Sequence, residues 1–351
     1  KPFLIAEVAQ AHDGNLKEVF KFIDRVSQHN IDAIKFQTHI PEFESTYDEP
    51  FRKKIKGFKN RYEYWKSMEF KKIEWIKIKK YCKLKKIIFL SSVFSIESVK
   101  LLSSIGLKTW KIGSGECNSI DLLNYLKTNL NNDPILISTG LMNNKKIAEI
   151  YKFFIKKNPI CIMHCVSKYP TKLNELGFNN IDELNKKFNC IIGYSDHSGS
   201  VYSILYALSK SIPIIEFHVK INENDKNLDK TSSIKIKDLE IITKANDAFY
   251  ELKINKTNKN RLTKEQVSML NIFGKSFDVS KIIDLILSSL TIVLKSIFLD
   301  ILLSISSIPS KKVWLKSSMP IKFFGVIIAY EKSTKSCLSL SEFSSIKILT
   351  S

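Results

Sequence analysis

The sequence predicts an α/β protein, and within that class a (β/α)8 TIM barrel. Short apolar runs alternate regularly with longer segments of helical periodicity. Eight such pairs fill about 250 residues, which is the usual size of this fold. Polar side chains also recur where the apolar runs end. A doubly wound open sheet is the alternative, but no Gly-rich phosphate loop follows the first strand.

The first half of the chain supplies four strand–helix pairs. Its predicted strands are residues 2–8, 33–38, 87–92 and 109–116, the last of which runs into a loop. Its predicted helices are residues 16–29, 71–85, a segment that Ser95 opens, and residues 121–127. Ser95 is a typical N-cap, and Glu97 in the first turn suits the positive end of the helix dipole. A long polar and aromatic loop, from His39 to about Glu69, precedes the second helix.

The second half repeats the pattern four times. Its predicted strands are residues 134–140, 160–165, 190–197 and 212–218, and its predicted helices are residues 144–157, 181–188, 202–208 and 237–252. Each pair forms a βαβ unit with its neighbour, and such units bring the carboxyl ends of parallel strands to the same side. In a barrel this side carries the active site.

Ten polar side chains lie at or just beyond these carboxyl ends and come from seven strands. They are Glu7, Lys35, Gln37, Ser92, Lys111, Ser114, Glu116, Ser138, His197 and His218. A single polar residue at a strand end is usually a cap, but ten around one rim predict a functional site.

The residue types indicate three kinds of chemistry. Two lysines with three serines form a cradle for phosphate or carboxylate; these are Lys35, Lys111, Ser92, Ser114 and Ser138. His197 and His218 suit a Mn, Zn, Co or Fe-type ion with open positions that polarises a carbonyl, or else are two satisfied polar residues of the rim. Glu7 and Glu116 are candidates for acid–base work or for holding sugar hydroxyls.

The net charge of +20 invites a nucleic-acid interpretation. The excess lysines are dispersed along predicted helices, however, in a chain generally rich in Ile, Lys and Asn, so we expect no nucleic-acid partner. The six cysteines form no CxxC pair, which is typical of free thiols in a reducing compartment. We expect a cytoplasmic protein, and a short N-terminal piece before Lys1.

Several stretches together resemble the sialic acid synthase (N-acetylneuraminate synthase) family, including its legionaminate and pseudaminate relatives. The resemblance covers roughly residues 2–275. The matching stretches are Ile5-Ala6-Glu7 with His12-Asp13-Gly14, Ile34-Lys35-Phe36-Gln37, Lys111 to Glu116, Ile137 to Gly140, His164-Cys165 with Tyr169-Pro170, Gly193 to His197, and Glu216-Phe217-His218. Each motif alone is weak, but their joint order and spacing are specific.

The resemblance implies condensation of phosphoenolpyruvate with an N-acetylated hexosamine, typically N-acetylmannosamine, to give a sialic-acid-type nonulosonate and phosphate. The residues implied to hold phosphoenolpyruvate are Lys35, Ser92, Lys111, Ser114, Ser138 and Ser195, and Gln37 is a further candidate for substrate binding. His197 and His218 would bind a divalent metal, with Mn²⁺ favoured over Mg²⁺ or Co²⁺. Glu116, Tyr169 and Asp229 would contact the sugar, and Glu7 would orient or deprotonate water.

Two departures from the family pattern affect the site. The turn after the second metal histidine reads Asn227-Leu228-Asp229-Lys230, which keeps only the Asp of a Gly-Pro-Asp-His-like turn. Val93 stands where a Pro often follows the hydroxyl at Ser92. The alternatives to an active synthase are a catalytically impaired relic and a barrel aldolase that uses Lys111 as a Schiff-base lysine.

The C-terminal tail does not follow the family, which has a small antifreeze-like domain that supplies an Arg to a partner subunit. Asn, Arg, Gln and His are absent after Asn271, and Ser and Ile become frequent. We therefore divide the chain into a barrel (residues 1–255), a linker (256–280) and an atypical tail (281–351). A shifted reading frame is our preferred explanation, with a divergent helical extension and a membrane segment as alternatives. The family implies a homodimer, which this tail puts in question.

Overall fold

Nine parallel strands form one sheet in the computed structural model of the chain, which describes residues 1–51, 54–130, 132–221, 228–274 and 279–306. The strands are β1 (Phe3–Ala9), β2 (Ala33–Thr38), β3 (Ile88–Val93), β4 (Trp110–Ile112), β5 (Ile135–Ser138), β6 (Ile160–His164), β7 (Ile191–Asp196), β8 (Ile214–Lys220) and β9 (Ser233–Lys235). Each strand pairs with the next, and β1 also pairs with β8. The first eight strands therefore close into the predicted TIM barrel.

The described residues contain eleven α-helices, of which the first eight lie between consecutive strands and the last three follow β9 in the chain. They are α1 (Leu16–Ser27), α2 (Arg61–Met68), α3 (Lys72–Leu84), α4 (Ile96–Ser104), α5 (Ile120–Asn129), α6 (Asn144–Phe154), α7 (Asn179–Lys187), α8 (Val201–Ser209), α9 (Leu239–Ile254), α10 (Lys264–Phe273) and α11 (Val279–Ser306). The predicted Ser95 cap is confirmed, because its side chain accepts a hydrogen bond from the Ser98 N–H at 3.2 Å.

Alternation along the strands decides what faces the barrel interior. A small apolar cluster, separate from the main core between sheet and helices, contains Ile5 of β1, Ala33 of β2 and Leu90 of β3. Two residues further along each strand, on the same face, stand Glu7, Lys35 and Ser92. The barrel interior thus changes from an apolar layer to a polar layer toward the carboxyl ends of the strands.

The long segment between β2 and α3 has structure that the sequence did not predict. Residues 39–70, called here the β2–α3 segment, include a 3₁₀ turn at Pro41–Phe43 and the helix α2. Tyr64, Trp65 and Met68 of α2 form a separate buried cluster. The helix has no long amphipathic period. Its only sequence signal is the cap, in which the Asn60 side chain accepts from the Glu63 N–H at 2.9 Å.

Residues Lys1–Asn258 form one compact unit, and a second unit begins at Lys259. The described part of the second unit consists of α10 and α11. The predicted boundaries at residues 255 and 280 stay predictions, and most of the predicted Ser/Ile-rich tail, from residue 307 onward, lies outside the described residues. In the ranges that the structure describes, no helix combines the length and apolarity needed to cross a membrane.

Candidate active site

One cavity of about 350 Å³ opens at the carboxyl end of the barrel. All the site residues predicted from the sequence line it, namely Glu7, Lys35, Gln37, Ser92, Lys111, Ser114, Glu116, Ser138, Tyr169, Ser195, His197, His218 and Asp229. These residues are spread along residues 1–229 of the chain, and it is the closure of the barrel that brings them together.

The floor of the cavity is a network of buried charges. The Nζ atom of Lys35 lies 2.8 Å from Glu7 Oε2 and 3.7 Å from Glu216 Oε2, and it donates a hydrogen bond to Ser92 Oγ at 2.9 Å. Lys111 Nζ lies 2.8 Å from Glu216 Oε1. The four charged side chains are at most 6% exposed. The two lysines of the predicted anion cradle are thus ion-paired within the chain.

Glu216 is the member of this network that the sequence analysis did not select as a site residue. Its Oε1 accepts hydrogen bonds from Lys111 Nζ at 2.8 Å and from Ser195 Oγ at 2.9 Å. A signal for it was present, because Glu216 precedes His218 by two residues on the same strand, and residues two apart share a face. Its pairing with Lys111, 105 residues away, was not visible in the sequence.

The pKa values of the two glutamates, Glu7 and Glu216, are shifted in opposite directions. Burial raises the pKa of Glu7 to about 7, although Lys35 opposes the shift. Burial would also raise the pKa of Glu216, but Lys111 and Lys35 together lower it well below its usual range. Burial alone would lower the pKa of Lys111, and Glu216 raises it overall. With Glu216 ionised, both lysines charged and a proton on Glu7, the network carries one net positive charge.

His197 and His218 stand side by side next to this network, since His218 is the register partner of Glu7 on the neighbouring strand. Their ring centroids are 5.4 Å apart, and the Tyr169 ring lies 4.4 Å from that of His197. Nδ1 of His197 donates to the Val166 carbonyl oxygen at 2.7 Å, because a carbonyl can only accept. Burial, with His218 nearby, lowers the pKa of His197 to about 4. Burial also lowers the pKa of His218, although Asp229 opposes the shift.

The donor set at these histidines fits a divalent metal with open coordination positions. A neutral imidazole is a metal ligand, and the hydrogen bond at Nδ1 of His197 leaves its Nε2 to bind an ion. The buried Nδ1 of His218 has no hydrogen-bond partner among the described residues, and Asp229 Oδ2 lies 3.9 Å from it. Within the same residues, no three His, Cys, Asp or Glu side chains gather as a complete ligand set. Water or substrate would complete the coordination.

Glu116 lies on the rim after β4, in a 3₁₀ turn. Burial raises its pKa to about 7, and the charge of Glu44 adds to the rise while Arg61 opposes it. Its carboxylate packs where a Cβ on Gly113 would stand, so the glycine makes room for it. The structure therefore gives Glu116 neighbours from the β2–α3 segment, which the sequence analysis treated as a loop without site residues.

That segment contributes further cavity residues that sequence reasoning missed, among them His39, Glu44, Arg61 and Trp65. His39 is stacked between the rings of Trp65 and Phe94, with centroid distances of 3.8 and 4.2 Å. Its Nδ1 lies 2.7 Å from Glu44 Oε1. His39 directly follows β2, so its strand-end position was a usable signal. The other contacts depend on how the segment folds back over the barrel.

The fold and the cavity together define a class: TIM-barrel proteins with a buried lysine–glutamate network and a paired-histidine site at the carboxyl ends of the strands. The chain belongs to the NeuB family, whose family model matches residues 22–257.

Known proteins that are similar to this chain include two synthases and one solved structure. Human N-acetylneuraminate-9-phosphate synthase is 26% identical over 237 residues, which cover 66% of each chain. N,N'-diacetyllegionaminic acid synthase of Campylobacter jejuni is 29% identical over 251 residues, covering 69% of this chain and 74% of that protein. The crystal structure of N-acetylneuraminic acid synthetase from Leptospira borgpetersenii has a TM-score of 0.65 at 26% identity, covering 79% and 94% of the two chains. The chain spans about two thirds of the length of the first curated relatives it matches.

Proposed function

We propose that this chain condenses phosphoenolpyruvate with an N-acetylated hexosamine such as N-acetylmannosamine, giving a nonulosonate and phosphate. The observation that carries the proposal is the joint presence, in one cavity, of two buried lysines among serine hydroxyls and of two neutral imidazoles. The first group suits a phosphorylated carboxylic acid, and the second suits a metal beside a carbonyl group. Membership of the NeuB family supports the same reaction.

Phosphoenolpyruvate would occupy the side of the cavity that Lys35 and Lys111 form. Its anionic groups would be held by these lysines and by the hydroxyls of Ser92, Ser114, Ser138 and Ser195. An incoming anion also favours the protonated form of Glu7, whose pKa of about 7 is already close to neutral pH. Protonation gives the network the net positive charge that an anion requires.

The sugar aldehyde would lie on the histidine side, with Gln37, Glu116, Tyr169 and Asp229 around the rest of the molecule. In the reaction, C3 of phosphoenolpyruvate forms a bond to the aldehyde carbon, water adds at C2, and phosphate leaves. A divalent metal held by His197 and His218, with Mn²⁺ our first choice, would supply electrophilic stabilisation of the aldehyde oxygen. Protonated Glu7 would first give its proton to the aldehyde oxygen as the C–C bond forms, and the resulting carboxylate would then take up a proton from the attacking water, because its pKa allows exchange near neutral pH.

The ion pair at Lys111 supports this reaction over a Schiff-base aldolase. An aldolase lysine must be a neutral amine to attack a carbonyl. Lys111 is instead held 2.8 Å from Glu216, and that carboxylate raises its pKa. The charged form suits anion binding and does not suit nucleophilic attack.

Phosphate release tests the proposal. The full chain, phosphoenolpyruvate, Mn²⁺ and N-acetylmannosamine should release phosphate only when all are present, and a chelator should abolish release. His218→Ala should remove activity while leaving phosphoenolpyruvate binding, followed by a thermal shift, in place. A matched control is His29→Ala, outside the cavity, which should leave both measurements unchanged. Release that continues unchanged in excess chelator would contradict the role of the metal.

A further inference from the structure

Asp196 is a buried acid that the reaction proposed above does not use. It is the last residue of β7 and is 0% exposed. Because side chains alternate along a strand, Asp196 shares the face of Tyr194, which packs in the main core. Ser195 and His197, on the other face, line the cavity, and Asp196 is not among the described residues that do so.

The Asp196 carboxyl group accepts hydrogen bonds from three donors. Oδ1 accepts from Tyr194 Oη at 2.6 Å and from Ser198 Oγ at 2.9 Å, and Oδ2 accepts from the Ser198 N–H at 3.1 Å. A carboxyl group that only accepts is the ionised form, and these donors from the described residues are all neutral. Burying a negative charge without a cationic partner is unfavourable, which indicates that the charge has a function.

The same contacts fix the turn that carries His197 between β7 and α8. Ser198 Oγ, which donates to Asp196, also accepts from the Ser200 N–H at 3.1 Å, and Ser200 is the N-cap of α8. The His197 carbonyl oxygen accepts from the Thr171 N–H at 2.9 Å. The backbone is therefore held at His197 itself and on both sides of it.

A cation at the paired histidines is favoured by negative charge that the neighbouring lysine–glutamate network does not supply. This network sets two lysines against two glutamates, so it is neutral at best, and a proton on Glu7 leaves it with one net positive charge. Asp229 lies on the His218 side, with its Oδ2 3.9 Å from Nδ1, and Asp196 directly precedes His197. A charge in a low-dielectric interior acts strongly on its neighbours. Asp196 thus gives the His197 side a fixed negative charge.

We propose that Asp196 is a positioning residue for a divalent cation at His197 and His218, because it fixes the turn at His197 and places a negative charge on the strand face behind that imidazole. This inference rests on the function proposed above and adds a residue that touches neither substrate. Residues that support a metal ligand orient it and strengthen its hold on the ion, and their loss commonly lowers metal affinity by about 10- to 100-fold.

The test is the binding of Mn²⁺ alone to the full chain, measured from the free Mn²⁺ signal in electron paramagnetic resonance. Asp196→Asn keeps the size of the side chain and removes its charge, so it should raise the Kd for Mn²⁺ about tenfold or more. Tyr194→Phe keeps the charge and removes one donor, so it should raise this Kd about threefold, and it carries the test should Asp196→Asn not fold. The thermal shift caused by phosphoenolpyruvate without metal should stay unchanged in both variants.

The matched control is Asp32→Asn, which removes the same charge at the opposite end of the barrel. Oδ2 of Asp32 accepts from the Leu4 N–H at 2.7 Å, at the amino ends of β1 and β2. The control should leave the Kd for Mn²⁺ unchanged.

Mn²⁺ binding that Asp196→Asn leaves unchanged overturns the inference, and so does the absence of Mn²⁺ binding by the wild-type chain. An equal loss of Mn²⁺ and phosphoenolpyruvate binding would show a purely structural role and also overturns it. Phosphate release with the sugar present tests the proposed function separately. A chain whose Mn²⁺ binding depends on Asp196 but that releases no phosphate would overturn the proposed function and leave this inference in place.

Discussion

Glu216 is the residue on which the electrostatics of the barrel interior depend. It lies between Lys35 and Lys111 and is itself 3% exposed. A buried charge whose partner is removed is strongly destabilising, because the low-dielectric interior cannot solvate it. The lysines of the predicted anion cradle are thus ion-paired within the chain, and an anion that binds there would compete with Glu216 for these cations.

Glu216→Gln should lower the free energy of unfolding by about 3 kcal/mol, since it leaves two buried ammonium groups with one carboxylate. Urea denaturation at pH 7.5 would measure the loss. Glu183→Gln is the control, because Glu183 pairs with Lys187 at 3.8 Å and both side chains are about half exposed. We expect little change from the control. A similar small change for Glu216→Gln would contradict the importance of the network.

Glu116 allows a test of stability against pH. Its folded-state pKa is about 7 and its ordinary value is 4.5, so the folded protein holds the proton more tightly than the unfolded chain. Ionised Glu116 therefore destabilises the fold, and this effect is absent below about pH 4.5 and complete above about pH 7.

Glu116→Gln should consequently stabilise the protein at pH 8 relative to its effect at pH 4.5. We expect a difference of about 1–2 kcal/mol between the two pH values, somewhat below the full shift because the side chain is partly exposed. Urea denaturation of both proteins at both pH values would measure it. The same effect of the substitution at both values would show that burial does not shift the pKa of Glu116.

At the scale of elements, the β2–α3 segment packs on the rim of the barrel and supplies several of the residues that line the cavity. Its helix α2 docks near the turn that follows β1, where Ser67 packs against Gly14. Gly14 has a φ of +68°, a left-handed conformation that favours glycine, and a Cβ there would overlap the Ser67 carbonyl oxygen. A side chain at position 14 would therefore separate the segment from the barrel.

Gly14→Ala should accelerate proteolytic cleavage within residues 39–70 and weaken binding of the acceptor sugar. Gly57→Ala is a closely matched control, because Gly57 also has a positive φ, +95°, and a Cβ there would meet no atom within 4 Å. Each substitution places alanine in a strained backbone conformation, but only Gly14→Ala adds the clash. Limited proteolysis followed by mass spectrometry would compare them. Equal protection of the two variants would contradict docking at Gly14.

At the scale of the whole molecule, the residues that line the cavity lie between Glu7 and Asp229, inside the compact unit Lys1–Asn258. This unit has a closed barrel and its own apolar core. A domain with its own core is able to fold alone. The part of the chain that resembles the NeuB family also ends near this boundary, at residue 257.

A chain that ends after Asn258 should therefore unfold cooperatively and still bind phosphoenolpyruvate. Circular dichroism during heating would follow unfolding, and the shift of its midpoint by phosphoenolpyruvate would follow binding. The same shortened chain with Lys111→Met should lose that shift, since it lacks one cation of the network. A shortened chain that folds but no longer responds to phosphoenolpyruvate would show that residues beyond 258 are needed for binding.

The sequence by itself determined the barrel and most of its rim. Strand alternation depends on neighbours two residues apart, so the inward positions of Glu7, Lys35 and Ser92 could be predicted locally. The family motifs added Tyr169, Ser195 and Asp229. The fold class is confirmed, and the cavity collects every predicted site residue, whose roles stay proposals.

Tertiary structure alone decided which groups neutralise one another and what covers the cavity. The pairing of Lys111 with Glu216 joins residues 105 apart, and it exists only because the barrel closes. The contacts of His39 and Glu44 depend on a short helix whose few buried residues show no long period. Distances between side chains that are remote in sequence, and the burial that shifts their pKa values, are properties of the packed chain.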